Sequence, residues 1–250
     1  MWEAVAVRVG WDFSAVRAER DPVPWDYGAV VRNYLRPGTT ALDVGTGGGE
    51  VFLRLATGLA LGVGVDAEPG MARVARDRAR SAPTPNTRFA VMATEALALP
   101  DGTFDTVLNR HSVVVVAEVV RVLRAGGVFV TQQVGDRNTQ RVFDEFGWGS
   151  NGEWWRSEWR RSGASPQDVD TLAAAFEHVG CTLVRRSEYD VGYRFLDPES
   201  LLFWLRSVPL PEVVSPDVHY RQLAGLLAEH ARTGSIVTNE HRWLLVVRKP

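Results

Sequence analysis

A single cysteine, Cys181, is present in the 250-residue chain, so no disulfide bond can form within it. Disulfides belong to oxidising compartments, and their absence fits a cytoplasmic setting. The N-terminus lacks the basic stretch and apolar run of a signal peptide, and no uninterrupted apolar run reaches the roughly 20 residues of a membrane span. We therefore expect a cytoplasmic protein in which Cys181 is a small buried residue rather than a catalytic thiol.

The chain also has no large excess of positive or negative side chains. The chain has 28 Lys and Arg against 30 Asp and Glu, which gives a formal net charge of −2. No basic surface is indicated, so nucleic acid is not an expected partner. The five histidines show no spacing that is typical of metal ligands, and we expect no metal site.

A glycine-rich turn is the most informative feature that the chain does contain. The residues of 40–44 are apolar or β-branched and predict a buried strand. Three glycines, Gly45, Gly47 and Gly49, alternate after it, and the apolar spacing that follows predicts a helix over 51–60. A strand, a glycine turn and a helix form a unit that binds polar or anionic ligands at the helix N-terminus.

The residues of this turn favour S-adenosylmethionine (SAM) over NAD as the ligand. The dinucleotide pattern G-x-G-x-x-G places Glu50 at its third glycine, where a carboxylate would repel a pyrophosphate. An acid at the strand end, Asp43, suits the ammonium of SAM instead. The turn alone leaves two alternatives open, namely a nicotinamide-dependent oxidoreductase and a tight turn that binds no ligand.

A second acid follows the next predicted strand, at 61–66. Asp66 comes about 20 residues after Gly45, where a carboxylate holds the diol of a ribose in nucleoside-binding folds. Both NAD and SAM carry this ribose. Asp66 therefore indicates a nucleoside without choosing between the two, unless it merely caps the following helix.

The span from Thr40 to Val134 resembles the core of a class I, Rossmann-like, SAM-dependent methyltransferase. Besides the glycine turn, the stretch from Thr94 to Asp105 is similar to the acid-Ala-x-x-Leu-Pro then Phe-Asp pattern of the family. The stretch from Arg121 to Gly127 is similar to its Arg-Val-Leu-x-Pro-Gly-Gly pattern. Glu95 stands where the family often has Asp, and Ala125 where it often has Pro.

Further likeness points to a small bacterial, methyltransferase-11-like subgroup, through Asn109-Arg110-His111 and the stretch 131–135. The resemblance implies SAM as the cofactor, held by residues that follow successive strands. Glu95 would accept a hydrogen bond from the adenine amino group. The cofactor-binding residues that the resemblance and the turn together predict are Asp43, Gly45, Thr46, Gly47, Gly49, Asp66, Ala67, Thr94, Glu95, Ala96, Asn109 and Arg110.

The fold expected from these patterns is α/β, with a doubly wound, mostly parallel sheet of seven strands whose last strand is antiparallel. We expect one domain over 1–250, with an N-terminal cap at 1–39 and a cofactor-binding core at 40–135. An aromatic insertion at 136–165 and a helical, substrate-side insertion at 190–234 complete it. Strands are predicted at 40–44, 61–66, 87–93, 104–109, 128–134, 182–189 and 235–247, and helices at 27–35, 51–60, 69–80, 113–124, 166–179, 198–208 and 216–232.

The valine run at 113–116 has opposing indications. Four valines favour a strand by propensity, but parallel strands need a long crossover between them. Ser112 could cap a helix there, and Glu118 with Arg121 forms an i,i+3 pair. We therefore predict a helix.

Aromatic residues cluster in two regions that could face a substrate. Trp11, Trp25 and Tyr27 precede the core, and Trp154 and Trp155 lie in the insertion. They are predicted to line the substrate site, and the alternative is that they only pack the chain together.

The chemistry expected of such a fold is in-line displacement at the SAM sulfonium, for which the protein aligns the acceptor and excludes water. A general base is needed only where the acceptor loses a proton. His111 is the candidate, because it follows the fourth predicted strand at the ligand-binding edge and has an ordinary pKa near 6.5. Its alternative role is a hydrogen bond to the cofactor or the next helix. The expected partner is a small-molecule acceptor, the oligomeric state is open, and a SAM-binding protein without catalysis remains the alternative.

Overall fold

The computed structural model describes residues 12–149 and 168–250. They contain one eight-stranded sheet in the order β1-β7-β8-β6-β5-β2-β3-β4. The expected α/β class is confirmed, with one short strand more than the seven predicted. The strands are β1 (Ala18–Arg20), β2 (Thr40–Val44), β3 (Leu61–Asp66), β4 (Thr87–Val91), β5 (Phe104–Arg110), β6 (Leu123–Val134), β7 (Thr182–Phe195) and β8 (Ile236–Arg248).

Among the described residues, seven helices lie where the apolar periodicity predicts them, and an eighth, at Gln140–Phe146, lies in the segment predicted only as an aromatic insertion. Within the described ranges they are α1 (Tyr27–Arg32), α2 (Phe52–Leu55), α3 (Pro69–Ala79), α4 (Val116–Val122), α5 (Gln140–Phe146), α6 (Val169–His178), α7 (Pro198–Ser207) and α8 (Pro216–Thr233).

Several boundaries differ from the prediction. α1 ends at Arg32 rather than 35, β6 begins at Leu123 rather than 128, and β7 continues to Phe195 rather than 189. The helix expected over 51–60 ends after one turn at Leu55, with Ala56 as its C-cap, and the left-handed backbone of Gly58, with φ +82°, prevents its continuation.

The helix expected over 113–124 begins only at Val116, and Val115 before it is extended. Ser112 is therefore not its N-cap. The valine propensity holds the first part of the run out of the helix.

The strands β5, β2, β3 and β4 run parallel to their neighbours, and β6 is parallel to β5. Their register brings Val44 beside Asn109 and Arg110 beside Gln132, so the carboxyl ends of these strands lie along one edge of the sheet. In open α/β sheets this edge is where ligands bind. β8 runs antiparallel to β6, since Gly127 bonds Lys249 while Gly135 bonds His241.

The chain forms two compact units. Among the described residues, the sheet unit comprises 24–134, 168–188 and 243–250. Its core is packed from apolar side chains of the central strands and of α4 and α6, with Leu42, Phe104, Phe129 and Phe176 fully buried.

The helical unit comprises 12–23, 135–149 and 189–242 among the described residues. Its core is aromatic and aliphatic, and is built around Phe195, Leu201, Leu226 and Ile236. The insertion predicted at 190–234 forms α7 and α8 in this unit. β1 pairs antiparallel with the end of β7, through Ala18 opposite Phe195. This three-residue strand was missed because it is too short for its alternation to be read.

Candidate functional site

The glycine turn follows β2 directly and is fixed by its backbone. The amides of Gly45 and Thr46 both donate to the carbonyl of Val65 at 2.9 Å. Gly45, Gly47 and Gly49 all have positive φ, at +71°, +57° and +76°. Side-chain-bearing residues rarely adopt this conformation, which explains the alternation in the sequence.

Two of these glycines also leave no space for a side chain. A β-carbon on Gly45 would lie 2.3 Å from the hydroxyl oxygen of Ser112. A β-carbon on Gly49 would lie 3.3 Å from both Ala75 and the ring of Phe89. Ser112 thus packs against the turn instead of capping α4, and the segment after β5 lies against the segment after β2.

The Asp66 carboxylate links the turn to the start of α3. Its Oδ2 accepts the amide of Gly47 at 2.9 Å, and its Oδ1 accepts the amide of Glu68 at 2.9 Å. Each carboxylate oxygen has a second lone pair, so both can still accept a hydroxyl hydrogen. Ala67 is exposed beside it.

The predicted residues after β4 form a turn at the same sheet edge. Thr94, Glu95 and Ala96 lie next to β3, since Met92 donates from its amide to the carbonyl of Asp66 at 3.1 Å. The Glu95 side chain is exposed. The structure therefore brings these residues to the end of the strand that carries Asp66.

The arginine of the third sequence motif holds the segment that follows this turn. Arg121 pairs with Glu118 at 2.8 Å, as the i,i+3 spacing predicts, and with Asp101 at 2.7 Å. It also donates to the carbonyls of Leu97 and Leu99, both at 2.7 Å. Arg121 therefore has a structural role within the sheet unit.

Asn109 is buried, and its amide group is engaged within the protein. Its nitrogen donates to the carbonyls of Val44 at 3.2 Å and Val113 at 3.1 Å. Its oxygen accepts from Gln133 at 2.5 Å and from Thr131 at 3.3 Å. These bonds tie the ends of β2, β5 and β6 together. The role of Asn109 in binding the cofactor stays a prediction.

A polar recess formed by Asp43, Tyr27 and Arg110 lies at the carboxyl ends of β2 and β5. The Arg110 guanidinium lies over the Tyr27 ring, 5.7 Å from its centroid. The Tyr27 hydroxyl and the Arg110 Nε are buried, and no described residue forms a hydrogen bond with either. Buried polar atoms without partners are rare in proteins, and they mark places where a ligand can complete the hydrogen bonding.

Burial dominates the electrostatics of this recess. It raises the pKa of the Asp43 carboxyl to about 7, although the nearby Thr46 hydroxyl and Arg110 guanidinium act in the opposite direction. Burial and the charge of Asp43 also raise the pKa of Tyr27 above its usual value, so the phenol stays protonated. The recess thus holds an acid that ionises near neutrality beside one fixed positive charge.

Trp25 stands beside the recess at the end of β6. Its indole nitrogen donates to the Gln132 side chain at 2.9 Å, and the Arg185 guanidinium lies 5.7 Å from its ring centroid. Trp25 and Tyr27 are both buried. Sequence reasoning missed Gln132, although its register opposite Arg110 places it at the same edge.

His111 follows Arg110 at the end of β5 and is exposed. Its backbone is left-handed, with φ +57°, and its amide donates to the Gln132 carbonyl at 3.0 Å. A non-glycine residue in this conformation is uncommon, and such residues cluster at functional sites.

Glu50 does not present an unpaired charge to the turn. Its carboxylate pairs with Arg78 of α3, which also donates to the Gly48 carbonyl at 2.9 Å. The argument that Glu50 would repel a pyrophosphate is therefore wrong in its physical basis. Sequence reasoning missed Arg78, because periodicity does not show which long side chain folds back.

Three of the predicted substrate-facing residues, Trp11, Trp154 and Trp155, lie outside the described residues. Among residues 12–149 and 168–250, no group of His, Cys, Asp and Glu is arranged to hold a metal ion. Within the same ranges, no helix combines the length and apolarity that a membrane span requires.

Comparison with known proteins matches the region that carries Asp43, Asp66 and Arg110. The sequence profile of a family described as a methyltransferase domain matches residues 42–131. The 2-methyl-6-phytyl-1,4-hydroquinone methyltransferase of Synechocystis sp. is 34% identical over 116 residues, which cover 43% of this chain. The chain spans only 36% of the length of that relative.

Solved structures agree on the fold. A protein of Bacillus halodurans C-125, named a methyltransferase only provisionally, has a TM-score of 0.64 at 18% identity, over 90% of this chain and 99% of its own. A geranyl diphosphate methyltransferase in complex with SAM has a TM-score of 0.55 at 18% identity, over 89% of this chain and 84% of its own. At these identities the likeness concerns the fold alone.

The described residues fit SAM as the family's cofactor. The amino-acid end of SAM carries an ammonium and a carboxylate, and the recess offers the buried Asp43 acid and the unpartnered Tyr27 hydroxyl and Arg110 Nε. The Asp66 carboxylate keeps lone pairs that suit the ribose hydroxyls of SAM. The matched profile identifies residues 42–131 as a methyltransferase domain, and the parallel sheet and these features fit the class I, SAM-dependent kind.

Proposed function

We propose that this protein transfers the methyl group of SAM to a small-molecule acceptor. The observation that carries the proposal is the recess itself, in which the Asp43 acid interacts electrostatically with the Arg110 guanidinium while buried hydrogen-bonding atoms of Tyr27 and Arg110 are unused. An α-amino acid has the complementary pair of charges. A dinucleotide has no such pair, and its phosphates would gain nothing from Asp43.

The amino-acid end of the cofactor is assigned to three side chains. Asp43, once ionised, pairs with the ammonium. Arg110 and Tyr27 donate to the carboxylate through the Nε and the hydroxyl that no described residue engages. Charge-assisted bonds of this kind are about twice as strong as neutral ones.

The nucleoside end is assigned to the neighbouring strand ends. Asp66 accepts the ribose hydroxyls, and the exposed Glu95 after β4 accepts the adenine amino group. Thr94, Ala96 and Ala67 provide the backbone around them. These assignments follow the parallel order of β2, β3 and β4.

Bound SAM supplies an electrophilic methyl group on a sulfonium, and the residues of the chain align and protect the reaction. Buried Trp25 and Tyr27 exclude water from the end of the sheet. For an acceptor that must lose a proton, His111 is proposed as the general base, because it is exposed at the same edge.

A small acceptor is supported by the kind of relative that the core resembles. The Synechocystis enzyme is named for methylation of a hydroquinone, and a net charge of −2 does not favour nucleic acid. The aromatic side chains Trp11, Trp154 and Trp155 stay predicted contributors to the acceptor wall.

Calorimetric titration with S-adenosylhomocysteine tests the cofactor site, with NAD as a second ligand. We expect micromolar affinity for S-adenosylhomocysteine and none for NAD. Asp66→Ala should weaken binding about a hundredfold, because a bidentate acceptor of the ribose is lost. Asp77→Ala is the matched control, since Asp77 is an exposed acid on α3 that pairs with the exposed Arg80. Binding of NAD instead would refute the proposal.

Transfer itself is tested with 2-methylhydroquinone as a probe acceptor and labelled SAM. We expect methyl transfer by the wild-type protein. The rate of His111→Gln should be lower, and it should no longer increase over the pH range in which an imidazole loses its proton. Tight binding of S-adenosylhomocysteine without transfer to any of a panel of phenols and amines would favour a SAM-binding protein without catalysis.

A further inference from the structure

The side of the glycine turn that faces α3 carries an ion pair that neither the sequence motifs nor the family match accounts for. Arg78, near the end of α3, reaches back to the turn and pairs with the Glu50 carboxylate. The same Nη1 donates to the carbonyl of Gly48 at 2.9 Å. One guanidinium nitrogen therefore bonds both the backbone and the last acid of the turn.

The constraint at Gly48 differs from that at the other glycines of the turn. Its φ is not positive, unlike those of Gly45, Gly47 and Gly49, so the backbone there would accept other residues. A β-carbon on Gly48 would instead lie 2.3 Å from the Arg78 Nη1 and 2.5 Å from a Glu50 carboxylate oxygen. The space at Gly48 is thus taken by the ion pair.

The pair is sheltered, in contrast to the other ion pair of the same helix. The side chains of Arg78 and Glu50 are 30% and 14% exposed, whereas those of Arg80 and Asp77 are 77% and 57% exposed. Water screens the exposed pair and leaves it little energetic weight. The sheltered pair can hold a defined geometry.

The turn is also held by Asp66, which accepts the Gly47 amide. We propose that Arg78 and Glu50 form a positioning clamp that, with Asp66, holds residues 45–50 in the shape that receives the cofactor. The clamp rests on the proposed function for its ligand. Arg78 acts through Glu50 and Gly48 and does not itself contact the cofactor.

The first test is the affinity for S-adenosylhomocysteine in four single variants. We expect Arg78→Met and Glu50→Gln each to weaken binding about tenfold, because a displaced turn loses aligned contacts. Arg78→Lys should restore part of the loss, since the ammonium keeps the charge and has enough donors for both acceptors but lies on a shorter side chain. Arg80→Met is the matched control on α3 and should bind as the wild type does.

Gly48→Ala provides the sharper test. Its methyl group would push the Arg78 end away, so this variant should lose affinity as Arg78→Met does. The double variant Gly48→Ala with Arg78→Met should be no worse than either alone. The clamp would be overturned if the double variant lost affinity additively, if Arg78→Met bound as tightly as the wild type, or if Arg80→Met lost as much affinity as Arg78→Met.

Amide hydrogen exchange in the ligand-free protein separates this inference from the proposed function. Exchange at residues 45–50 should be faster in Arg78→Met than in the wild type, with exchange in β5 and β6 unchanged. Equal exchange at 45–50 in both proteins overturns the clamp. Failure of the wild type to bind S-adenosylhomocysteine refutes the cofactor assignment, and the exchange result still decides on the clamp.

Discussion

Two polar clusters of this protein differ in how completely their hydrogen bonds are made within the chain. Around Asp43, in the sheet unit, the Tyr27 hydroxyl and the Arg110 Nε have no partner among the described residues. Around His241, in the helical unit, the imidazole Nδ1 accepts the Arg137 amide at 3.0 Å. Arg137 in turn donates to Asp190 at 3.0 Å.

The helical-unit cluster continues through amide side chains. Asn239 donates to the carbonyl of Arg137 at 2.7 Å and to Asp190 at 2.6 Å, and the His241 amide donates to Asn138 at 3.2 Å. A satisfied network of this kind rigidifies the fold. The comparison teaches that burial of polar groups alone does not mark a ligand site. The Asp43 cluster differs in combining unused bonding capacity with a place at the carboxyl edge of the sheet.

Asp43→Asn should produce the largest effect, in the dependence of stability on pH. The folded-state pKa of Asp43, about 7, lies above its ordinary value of 3.8. Its contribution to stability is therefore fully present below about pH 4 and is lost as the pH rises to about 7. The variant should become more stable than the wild type across this window, by roughly 4 kcal/mol in all.

Urea unfolding at pH 5 and pH 8 measures this effect. The variant should at the same time lose affinity for S-adenosylhomocysteine, because the ammonium loses its counter-charge. A stability difference that does not change with pH would show that Asp43 is not a buried acid of raised pKa.

His241→Ala should destabilise the protein by about 3 kcal/mol, because it opens a cavity and leaves the Arg137 amide without its acceptor. His241 is buried, and a β-carbon on Gly135 would lie only 2.2 Å from its Nδ1. Affinity for S-adenosylhomocysteine, measured below the melting transition, should stay as in the wild type. A loss of affinity without a loss of stability would contradict the structural role of the His241 cluster.

Arg110→Met should have the opposite pattern. We expect affinity for S-adenosylhomocysteine to fall about twentyfold, which corresponds to roughly 2 kcal/mol for a charge-assisted bond. Stability should be unchanged, since the guanidinium has no hydrogen bond to lose through Nε. Decarboxylated S-adenosylhomocysteine provides the control ligand, because it should bind wild type and variant alike.

Tyr27→Phe should give the smallest change, a loss of affinity of about threefold, because only one neutral donor is removed. The ring stays and keeps its contact with Arg110. Removing a buried hydroxyl without a partner should leave stability equal or slightly higher. A clear loss of stability would indicate that the hydroxyl is satisfied within the protein.

The sequence predicts the features of the site that depend on neighbouring residues. The sequence predicts β2, the glycine turn and Asp66, because strand periodicity, positive φ and the spacing between strand ends are local properties. The α/β class and the antiparallel end of the sheet followed from the family resemblance and are confirmed.

The contacts between distant residues could not be predicted in the same way. Arg78 meets Glu50 across 28 positions, and Arg110 meets Tyr27 only because α1 packs at the ends of β5 and β6. Residue type and spacing do not determine which of several arginines turns toward the site. Helix ends differed for a related reason, since Gly58 stops α2 where the apolar spacing continues.

The Asp66 carboxylate, bonded on one oxygen to Gly47 and on the other to Glu68, cannot rotate without breaking a bond to the backbone. Immobilising a free side chain on binding costs about 0.5–1.5 kcal/mol. Here that loss of rotamer entropy occurs when the turn folds, before any nucleoside arrives. A ribose bound as proposed would therefore meet a rigid acceptor, and the folded backbone would itself disfavour ligands without a properly placed diol.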